Sequence, residues 1–331
     1  MRPDGTLVLR RSEIASLLTF SDYVTAVEEA FRAHAEGRTL SPGLMHVDAV
    51  DGEFHIKAGG LRAGQPRFGI KINGGFFQNR ARFDMPNIQG VILLSDATNG
   101  YPLCVMDSME ITIQRTGAAT AIAARYLARP DSAVCTICGT GNQGRIQLKA
   151  ILSALPLRKV FAWSRSYANA QAFAARMTAE TGVPVEPAAE LEPAAASSDV
   201  IVTCTPSRQP FLKAAAVRPG TFIAAVGADS PDKQELEAAL TAASRVVADL
   251  TDQVVHVGEA HHAIAAGLLE RSGICAEIGE IIAGHKPGRG SADETILFDS
   301  TGTALQDVAA AAAVYEAARR AGVGATIQLA A

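Results

Sequence analysis

The sequence predicts an α/β protein in which a parallel-sheet domain is joined to a second, α+β domain. An apolar, β-prone run at 133–138 is followed by the glycine-rich segment 139–144 and a helix-forming run, and a second apolar run lies at 159–163. Further apolar runs alternate with helix-forming ones up to residue 300, which is typical of a parallel sheet covered by helices. Residues 42–96 instead hold short strand-like runs separated by Gly, Asp and Asn, which favours an antiparallel sheet.

Length and composition limit the class of protein. The 331 residues suffice for two domains, and 48% hydrophobic against 19% charged residues argue against disorder. A net charge of −4 gives no electrostatic reason to expect nucleic acid or an anionic membrane surface as a partner. No apolar run is long enough to span a bilayer, and the N-terminal residues lack the apolar core of a signal peptide. We therefore expect a cytoplasmic protein that acts on small molecules.

Cysteines and histidines do not predict a metal site. The five cysteines are odd in number and lie mostly in apolar strand-like runs, which indicates buried, reduced thiols. Cys135 and Cys138 are three residues apart in a predicted strand, so their side chains point to opposite faces. His261 and His262 are adjacent in a predicted helix and do not face the same way. We expect no bound metal.

The first part of the chain begins with a short strand and two helices. Residues 7–10 read as a strand, and 12–18 and 21–37 read as helices with apolar residues at helical spacing. In the strand-rich part, Lys57 and Lys71 each lie inside an apolar run, where a lysine must reach solvent or meet an anion. A strand at 101–106 and a long helix at 108–127 follow, and this weakly charged helix carries Arg115 and Thr116.

The elements after this helix alternate between strand and helix. We place the domain boundary near residue 128, so that residues 1–128 with 304–331 form one domain and 129–303 form the other. The final helix is apolar nearly all round, so we expect it to be buried against the N-terminal domain. The predicted strands are 133–138, 159–163, 199–204, 221–226, 245–249 and 292–300, and the final helix is 304–322.

The glycine-rich segment fits G-x-G-x-x-G within a βαβ unit of about thirty residues, which predicts a dinucleotide site. Gly139 allows a sharp turn, Gly141 lets the backbone approach a pyrophosphate, and Gly144 lets helix and strand pack closely. The phosphates are expected on the unpaired N–H groups at the start of the helix. Asp229 follows the strand 221–226 and so lies near the ligand crevice, either facing the ligand or preceding a helix at 233–240; residue type alone leaves both open.

The end of the second strand predicts the cofactor. It reads Ala162-Trp163-Ser164-Arg165-Ser166, and no Asp or Glu occurs between Gly144 and Glu180. An acid about twenty residues after the glycines would accept the ribose 2′-OH of NAD, whereas Ser164, Arg165 and Ser166 can bind a 2′-phosphate. We therefore expect NADP(H) as the preferred cofactor, with NAD(H) also accepted.

Five segments together resemble the ornithine cyclodeaminase/mu-crystallin family, which includes archaeal alanine dehydrogenase and several ketimine reductases. They are GIK at 69–71, IQRTGAAT at 113–120, GTGNQG at 139–144, AVGADSPDKQEL at 225–236 and FDSTGTALQDVAAA at 298–311. The resemblance implies a Rossmann-type nucleotide-binding domain in the middle of the chain. It also implies that the N-terminal segment and last helix form a substrate-binding and dimerisation domain, and that the protein is a homodimer.

The resemblance also implies roles for residues. Lys71 and Asp229 match catalytic positions, and Lys71 and Arg115 match positions that bind the substrate's carboxylate. Family members often carry an arginine after the proline near position 42, but here Gly43 and Leu44 follow Pro42. We expect Lys57 to supply a substrate-binding cation instead. The expected cofactor-binding residues are Thr116, Gly139, Thr140, Gly141, Asn142, Gln143, Gly144, Ser164, Arg165, Ser166, Thr205, Val226, Gly227 and Thr301.

The activity implied by the resemblance is the NAD(P)H-dependent reduction of an α-imino acid to an amino acid, or the reverse oxidative deamination. With Lys57 as the cation in place of that arginine, the chain resembles the branch of the family that reduces dicarboxylic imines such as iminosuccinate, so we expect a substrate of this kind. Two alternatives stay open. One is a cyclodeaminase that uses bound NAD within each turnover, and the other is non-enzymatic, NADPH-dependent binding of a small ligand, as in mu-crystallin.

Overall fold

The computed structural model describes residues 5–62 and 64–329, which form two compact units. The described residues of Met1–Arg115 and Thr303–Ala331 make up the first unit, and Thr116–Gly302 make up the second. This division lies inside a long helix, whereas the boundary expected from the sequence lies at the end of that helix, near residue 128. A boundary near residue 128 between a substrate-binding domain and a nucleotide-binding domain stays a prediction.

The first part of the chain is rich in strands. Its elements are β1 (Thr6–Leu9), α1 (Arg11–Ile14), α2 (Phe20–Ala35), β2 (Thr39–Ala49), β3 (Gly52–Leu61), β4 (Arg67–Gly75), α3 (Asn79–Phe83), β5 (Ile88–Asp96), β6 (Pro102–Asp107) and α4 (Met109–Leu127).

The middle and end of the chain alternate between strands and helices. The middle part contains β7 (Val134–Cys138), α5 (Asn142–Ala154), β8 (Lys159–Trp163), α6 (Tyr167–Thr181), β9 (Val185–Ala188), α7 (Leu191–Ala196), β10 (Val200–Thr203) and β11 (Phe222–Ala225). The last part contains α8 (Ala238–Ala243), β12 (Arg245–Ala248), α9 (Thr251–Val254), α10 (Glu259–Ala265), β13 (Ile274–Glu277), α11 (Ile278–Ile282), β14 (Ile296–Asp299), α12 (Ala304–Ala321) and β15 (Ala325–Ile327).

The first unit is built on a seven-stranded sheet with the order β15-β1-β6-β5-β4-β3-β2. The pairs from β6 to β2 are antiparallel, as predicted for residues 42–96, and β1 joins β6 in parallel. Helix α12 packs on β3, β4 and α2. It comes so close to the sheet that a Cβ on Gly69 would lie 2.8 Å from Val308 Cγ2. The predicted burial of the last helix against the N-terminal segment is thus confirmed.

The second unit contains an eight-stranded, fully parallel sheet with the order β13-β12-β14-β11-β10-β7-β8-β9. The chain runs outward from β7 in both directions, through β8 to β9 on one side and through β10 to β11 on the other. This reversal opens a crevice beyond the carboxyl ends of β7 and β10. The predicted α/β class with a Rossmann-type domain is confirmed.

Several predicted elements differ from the observed ones. The helix expected at 233–240 is wrong, because the backbone N–H groups of Glu235 and Leu236 donate to the Glu259 carboxylate and the helix begins only at Ala238. Helix α1 is shorter than the predicted 12–18. The sequence reading also missed α3 and the edge strands β9, β13 and β15, which are three to five residues long.

None of the described helices combines the length and the apolar character that a membrane span requires. All five cysteines are free thiols, and burial raises the pKa of Cys104, Cys135 and Cys138.

Candidate active site

The glycine-rich loop of the second unit connects β7 to α5. Gly139 has φ +115°, and a Cβ there would lie 2.9 Å from the carbonyl oxygen of Cys204. A Cβ on Gly144 would lie 2.0 Å from the carbonyl oxygen of Gly139, so the helix can start this close to the strand only with glycine. A Cβ on Gly141, in contrast, would meet nothing within 4 Å. The three glycines thus have the geometry that the motif requires: Gly139 makes the sharp turn, Gly141 leaves the backbone open to a ligand, and Gly144 lets the helix pack closely on the strand.

Helix α5 begins within the glycine-rich loop itself. Asn142 is its first residue, and the first helical N–H bond runs from Arg145 to the carbonyl oxygen of Gly141. No side chain caps this helix. The N–H groups of Asn142, Gln143 and Gly144 therefore point out of the helix N-terminus, where they can receive a phosphate.

A cleft of about 690 Å³ lies beside this loop. Its walls are the glycine-rich loop, the end of β8 and the segment after β10. The rings of Trp163 and Phe211 lie 5.0 Å apart at this edge of the sheet. The cleft is lined by Gly139, Thr140, Gly141, Trp163, Ser164, Arg165, Cys204, Thr205, Pro206, Ser207, Arg208, Gln209, Pro210 and Phe211. Open glycine backbone, a helix N-terminus, an apolar wall and two arginines together fit a dinucleotide.

Arg208 is a lining residue that the sequence reading missed. It lies in the irregular segment after β10, and only the fold brings it to the same cleft as Arg165. Its Nη1 lies 3.0 Å from Asp232 Oδ2, with both side chains more than half exposed. Ser166, by contrast, is used as the N-cap of α6, where its hydroxyl accepts from the N–H of Asn169.

The buried carboxylate of Glu235 accepts hydrogen bonds from two residues that the sequence predicts to bind the cofactor, Thr205 and Gly227. Its Oε1 accepts from the N–H of Thr205 at 2.6 Å and from the Thr205 hydroxyl at 2.7 Å, and its Oε2 accepts from the N–H of Gly227 at 2.9 Å. Glu235 is fully buried. Burial raises its pKa to about 7, against the lowering effect of these hydrogen bonds. The sequence reading missed Glu235, because it placed this residue in a helix.

The other predicted residues of the second unit have defined partners. Asp229 Oδ1 accepts from Lys233 Nζ at 2.6 Å, and no helix follows Asp229 directly, because the next one, α8, begins only at Ala238. The Thr301 hydroxyl donates to Asp249 Oδ1 at 2.9 Å and accepts from Gln253 Nε2 at 2.8 Å. Val226 donates its N–H to the carbonyl of Thr203 at 2.8 Å. Thr116 lies buried in α4.

The first unit holds a buried cluster of basic side chains around one carboxylate. The β3–β4 register pairs Lys57 directly with Lys71, so both side chains lie on the same face of the sheet. Lys71 Nζ lies 2.7 Å from Asp307 Oδ2, and Arg115 Nε lies 2.9 Å from Asp307 Oδ1. Arg115 also donates through Nη1 to Gln306 Oε1 at 2.9 Å. We call Lys57, Lys71, Arg115 and Asp307 the basic cluster.

Charges inside the basic cluster change its protonation. Burial lowers the pKa of Lys71 to about 7; Asp307 opposes this effect, and the positive charges of Arg115 and Lys57 add to it. Burial alone would raise the pKa of Asp307, but Arg115, Lys71 and Lys57 hold it below its usual value. Lys71 can therefore exchange a proton near neutral pH, as a general acid or base must.

The basic cluster contains one donor, Arg115 Nε, with hydrogen-bonding capacity for an anion. This buried atom lies within ion-pair distance of Asp307 but has no hydrogen bond of good geometry; both Asp307 oxygens also lack one, and as acceptors they would not bind an anion. A guanidinium is a rigid bidentate donor for a carboxylate. The sequence reading identified the three basic residues but missed Asp307 and Gln306, which lie in an Ala-rich helix predicted only as core.

Comparison with known proteins agrees with the fold and the motifs. The Ornithine cyclodeaminase/mu-crystallin family matches residues 5–322. An archaeal alanine dehydrogenase dimer with bound NAD superposes with a TM-score of 0.93 at 37% identity, covering 98% of this chain and 99% of that one.

Two further solved structures are similar over the whole length. The Δ1-pyrroline-2-carboxylate reductase of Thermococcus litoralis, in complex with NADH and L-proline, has a TM-score of 0.92 at 30% identity and covers 97% of this chain and 100% of its own. The iminosuccinate reductase of Paracoccus denitrificans, in complex with NAD⁺, has a TM-score of 0.90 at 33% identity and covers 98% of this chain and 100% of its own. The family predicted from the five sequence segments is confirmed: the chain belongs to the ornithine cyclodeaminase/mu-crystallin family.

Proposed function

We propose that this protein is an NAD(P)H-dependent oxidoreductase that reduces an α-imino acid to the amino acid, or catalyses the reverse oxidative deamination. The observation that carries this proposal is the basic cluster, in which a lysine with a pKa near 7 and an arginine share one buried carboxylate. The same chain contains a cleft suited to a dinucleotide. The three similar structures described above are those of an alanine dehydrogenase, a Δ1-pyrroline-2-carboxylate reductase and an iminosuccinate reductase.

Each residue has a proposed task. Arg115 binds the substrate's α-carboxylate as a bidentate donor, and Lys71 adds a second cationic contact or, when neutral, accepts a proton. Asp307 keeps the two basic side chains in place. Asp229 gives a proton to the imine nitrogen during reduction, or accepts one from the amine in the reverse reaction. Its Oδ1 lies 2.6 Å from Lys233 Nζ. When bound, the nicotinamide supplies or accepts the hydride.

Consumption of NAD(P)H tests the proposal. The purified protein is given a panel of 2-oxo acids, each with ammonia and separately with methylamine. We expect net oxidation of NAD(P)H with at least one acid–amine pair, and none with the acid or the amine alone. Conversion of ornithine to proline and ammonia without net change in the cofactor would instead show a cyclodeaminase.

We infer that the substrate carries a second anionic group, and this inference rests on Lys57. Lys57 is 4% exposed, pairs with Lys71 across β3 and β4, and affects the pKa of both Lys71 and Asp307. Three basic groups around one carboxylate suit a dicarboxylic substrate such as iminosuccinate.

Substitution of Lys57 tests the substrate class. Lys57→Met should lower kcat/KM for the imine of oxaloacetate by at least about tenfold more than for the imine of pyruvate, since only the former offers a second charged partner. Lys57→Arg, which keeps the charge, is the matched control. Equal losses for both imines would show that Lys57 does not recognise the second carboxylate.

We propose that NADP(H) is preferred, although the similar structures contain NAD⁺, NAD or NADH. Ser164, Arg165 and Arg208 line the cleft, and the acid that reads a ribose 2′-OH is absent from the end of β8. Arg165→Ala should reduce kcat/KM for NADPH more than for NADH, and Arg158→Ala, immediately before the opposite end of β8, is the control. A parent enzyme that prefers NADH would contradict this proposal.

We also propose a homodimer. The sheet of the first unit exposes Met45, Val47, Phe54, Ile72 and Val91, whose strand register puts them on the face opposite Lys57 and Lys71. Such a contiguous apolar face marks an interaction surface. Light scattering should give twice the chain mass of 34.5 kDa, and Val91→Asp should lower the measured mass.

The five free thiols support a reducing compartment such as the cytoplasm.

A further inference from the structure

The hairpin of β2 and β3 brings together two histidines and a glutamate that no role above uses. His46 and His55 are direct cross-strand partners, and Glu53 lies two residues before His55, so all three side chains project from one face. The prediction of no bound metal considered only the cysteines and the pair His261 and His262. The pairing of His46 with His55 depends on the strand register, which a single sequence does not display.

The distances between the polar atoms suit a metal ion. His55 Nε2 lies 3.1 Å from Glu53 Oε1, and His46 Nε2 lies 3.6 Å from Glu53 Oε2. In a tetrahedral zinc site with bonds of about 2.0–2.2 Å, ligand atoms are about 3.3–3.6 Å apart. All three ligand atoms lie within 4.8 Å of one another, so some point lies within about 2.8 Å of each. Shifts of less than about 1 Å would complete the coordination.

The surroundings leave an access route and further ligands. The side chains of Glu53 and His55 are 13% and 12% exposed, and that of His46 is 29% exposed. Asp48, which is almost fully exposed, has Oδ1 3.2 Å from His46 Nε2. Opposite Glu53 on β4 stands Gly75, which contributes no side chain to the space. An ion could thus enter from solvent and keep a water or Asp48 as an additional ligand.

We propose that His46, Glu53 and His55 form a binding site for a divalent transition-metal ion of the zinc class. Two imidazoles and one carboxylate suit Zn²⁺ and Ni²⁺, whereas Mg²⁺ prefers oxygen ligands and retains its water. The ion would link edge strand β2 to β3, on the same face as Lys57 and two residue pairs further along the hairpin. Its main effect is therefore to fix the strand that carries Lys57. The site does not depend on the proposed reductase activity.

Equilibrium dialysis of the full-length protein against Zn²⁺, after treatment with EDTA, tests the site. A Cys275→Ser background removes the exposed thiol as a competing ligand. We expect the parent to retain one Zn²⁺ per chain more than His46→Gln, Glu53→Gln and His55→Gln, and as much as the control His285→Gln. Saturating Zn²⁺ should raise the Tm of the parent by at least about 2 °C and leave those of the three variants unchanged. Mg²⁺ should have no effect on any of them.

Equal zinc content in the parent and the His46→Gln variant would overturn the proposal, and the three residues would then form only an ion-paired cluster. His46 is the deciding position, because it is exposed on an edge strand and its replacement should not prevent folding. Zinc that stays equally bound in all variants would likewise assign the metal to other histidines.

Discussion

Asp307 is the residue on which the basic cluster depends, and Asp307→Asn tests this directly. The carboxylate lies 2.7 Å from Lys71 Nζ and 2.9 Å from Arg115 Nε, and all three side chains are buried. Asparagine keeps the size but loses the charge. Removal of one partner from a buried charge pair typically costs about 3–5 kcal/mol.

The cost of Asp307→Asn should depend on pH, because Lys71 can lose its proton. Asp307 raises the pKa of Lys71 against burial, so its removal must lower that pKa below about 7. We expect the free energy of unfolding to fall by about 3 kcal/mol near pH 6 and by clearly less near pH 9, where a neutral Lys71 no longer needs a counter-charge. Since the folded pKa of Lys71 lies below its usual 10.5, this group makes the parent more stable as pH rises from about 7 to 10.5.

The same substitution should change catalysis. At any pH above the pKa of Lys71, each unit by which the substitution lowers that pKa reduces the protonated fraction of Lys71 about tenfold. We therefore expect kcat/KM for imine reduction to fall at least about tenfold at alkaline pH. The corresponding limb of the pH profile should move to lower pH by one unit or more. Urea unfolding and a pH series of initial rates give both quantities, with the exposed Asp293→Asn as control. An unmoved limb, with kcat/KM within about threefold of the parent, would refute this reasoning.

Two further substitutions test the basic cluster and the cofactor cleft separately. Arg115→Ala should lower kcat/KM by about 3 kcal/mol of transition-state stabilisation, because it removes the bidentate carboxylate contact; unchanged kcat/KM in a folded variant would contradict this role. Glu235→Gln should raise KM for NAD(P)H by at least about tenfold with a smaller effect on kcat, since its amide NH₂ must face the N–H of either Thr205 or Gly227. An unaltered KM, with Glu186→Gln as control, would show that Glu235 does not position the cofactor loops.

Glu235 also contributes to the pH dependence of stability. Its folded pKa of about 7 lies above its usual 4.5, so its contribution is full below about pH 4.5 and is lost as pH rises through about 7. Glu235→Gln should remove this part of the decrease in the free energy of unfolding between about pH 4.5 and 7. Urea unfolding at several pH values measures it.

Patterns local in sequence predicted the second unit well. The strand before Gly139, the three glycines and the alternation of apolar and helical runs are each visible within about thirty residues. The positions of Lys57 and Lys71 were also visible, because a lysine inside an apolar run needs an explanation. Their direct pairing was not, since it depends on the register between β3 and β4.

Residues that act through long-range contacts could not be predicted from their surroundings in sequence. Asp307 lies among alanines in a helix that reads as core, and its partner Lys71 is far away in the chain. Glu235 lies in a run with good helix formers, but Glu259 and the bridge between Leu212 and Leu236 hold that segment extended. In both cases tertiary contacts decide the structure, and local propensity does not.

The most direct test of the proposed function is the fate of the hydride. NAD(P)H that carries deuterium at the transferred position of C4 is supplied with the 2-oxo acid and amine that give the highest rate, and the amino acid product is examined by mass spectrometry and NMR. The proposed function predicts one deuterium atom, bound to Cα of the product. An amino acid product without deuterium at Cα, formed at the enzymatic rate, would contradict it.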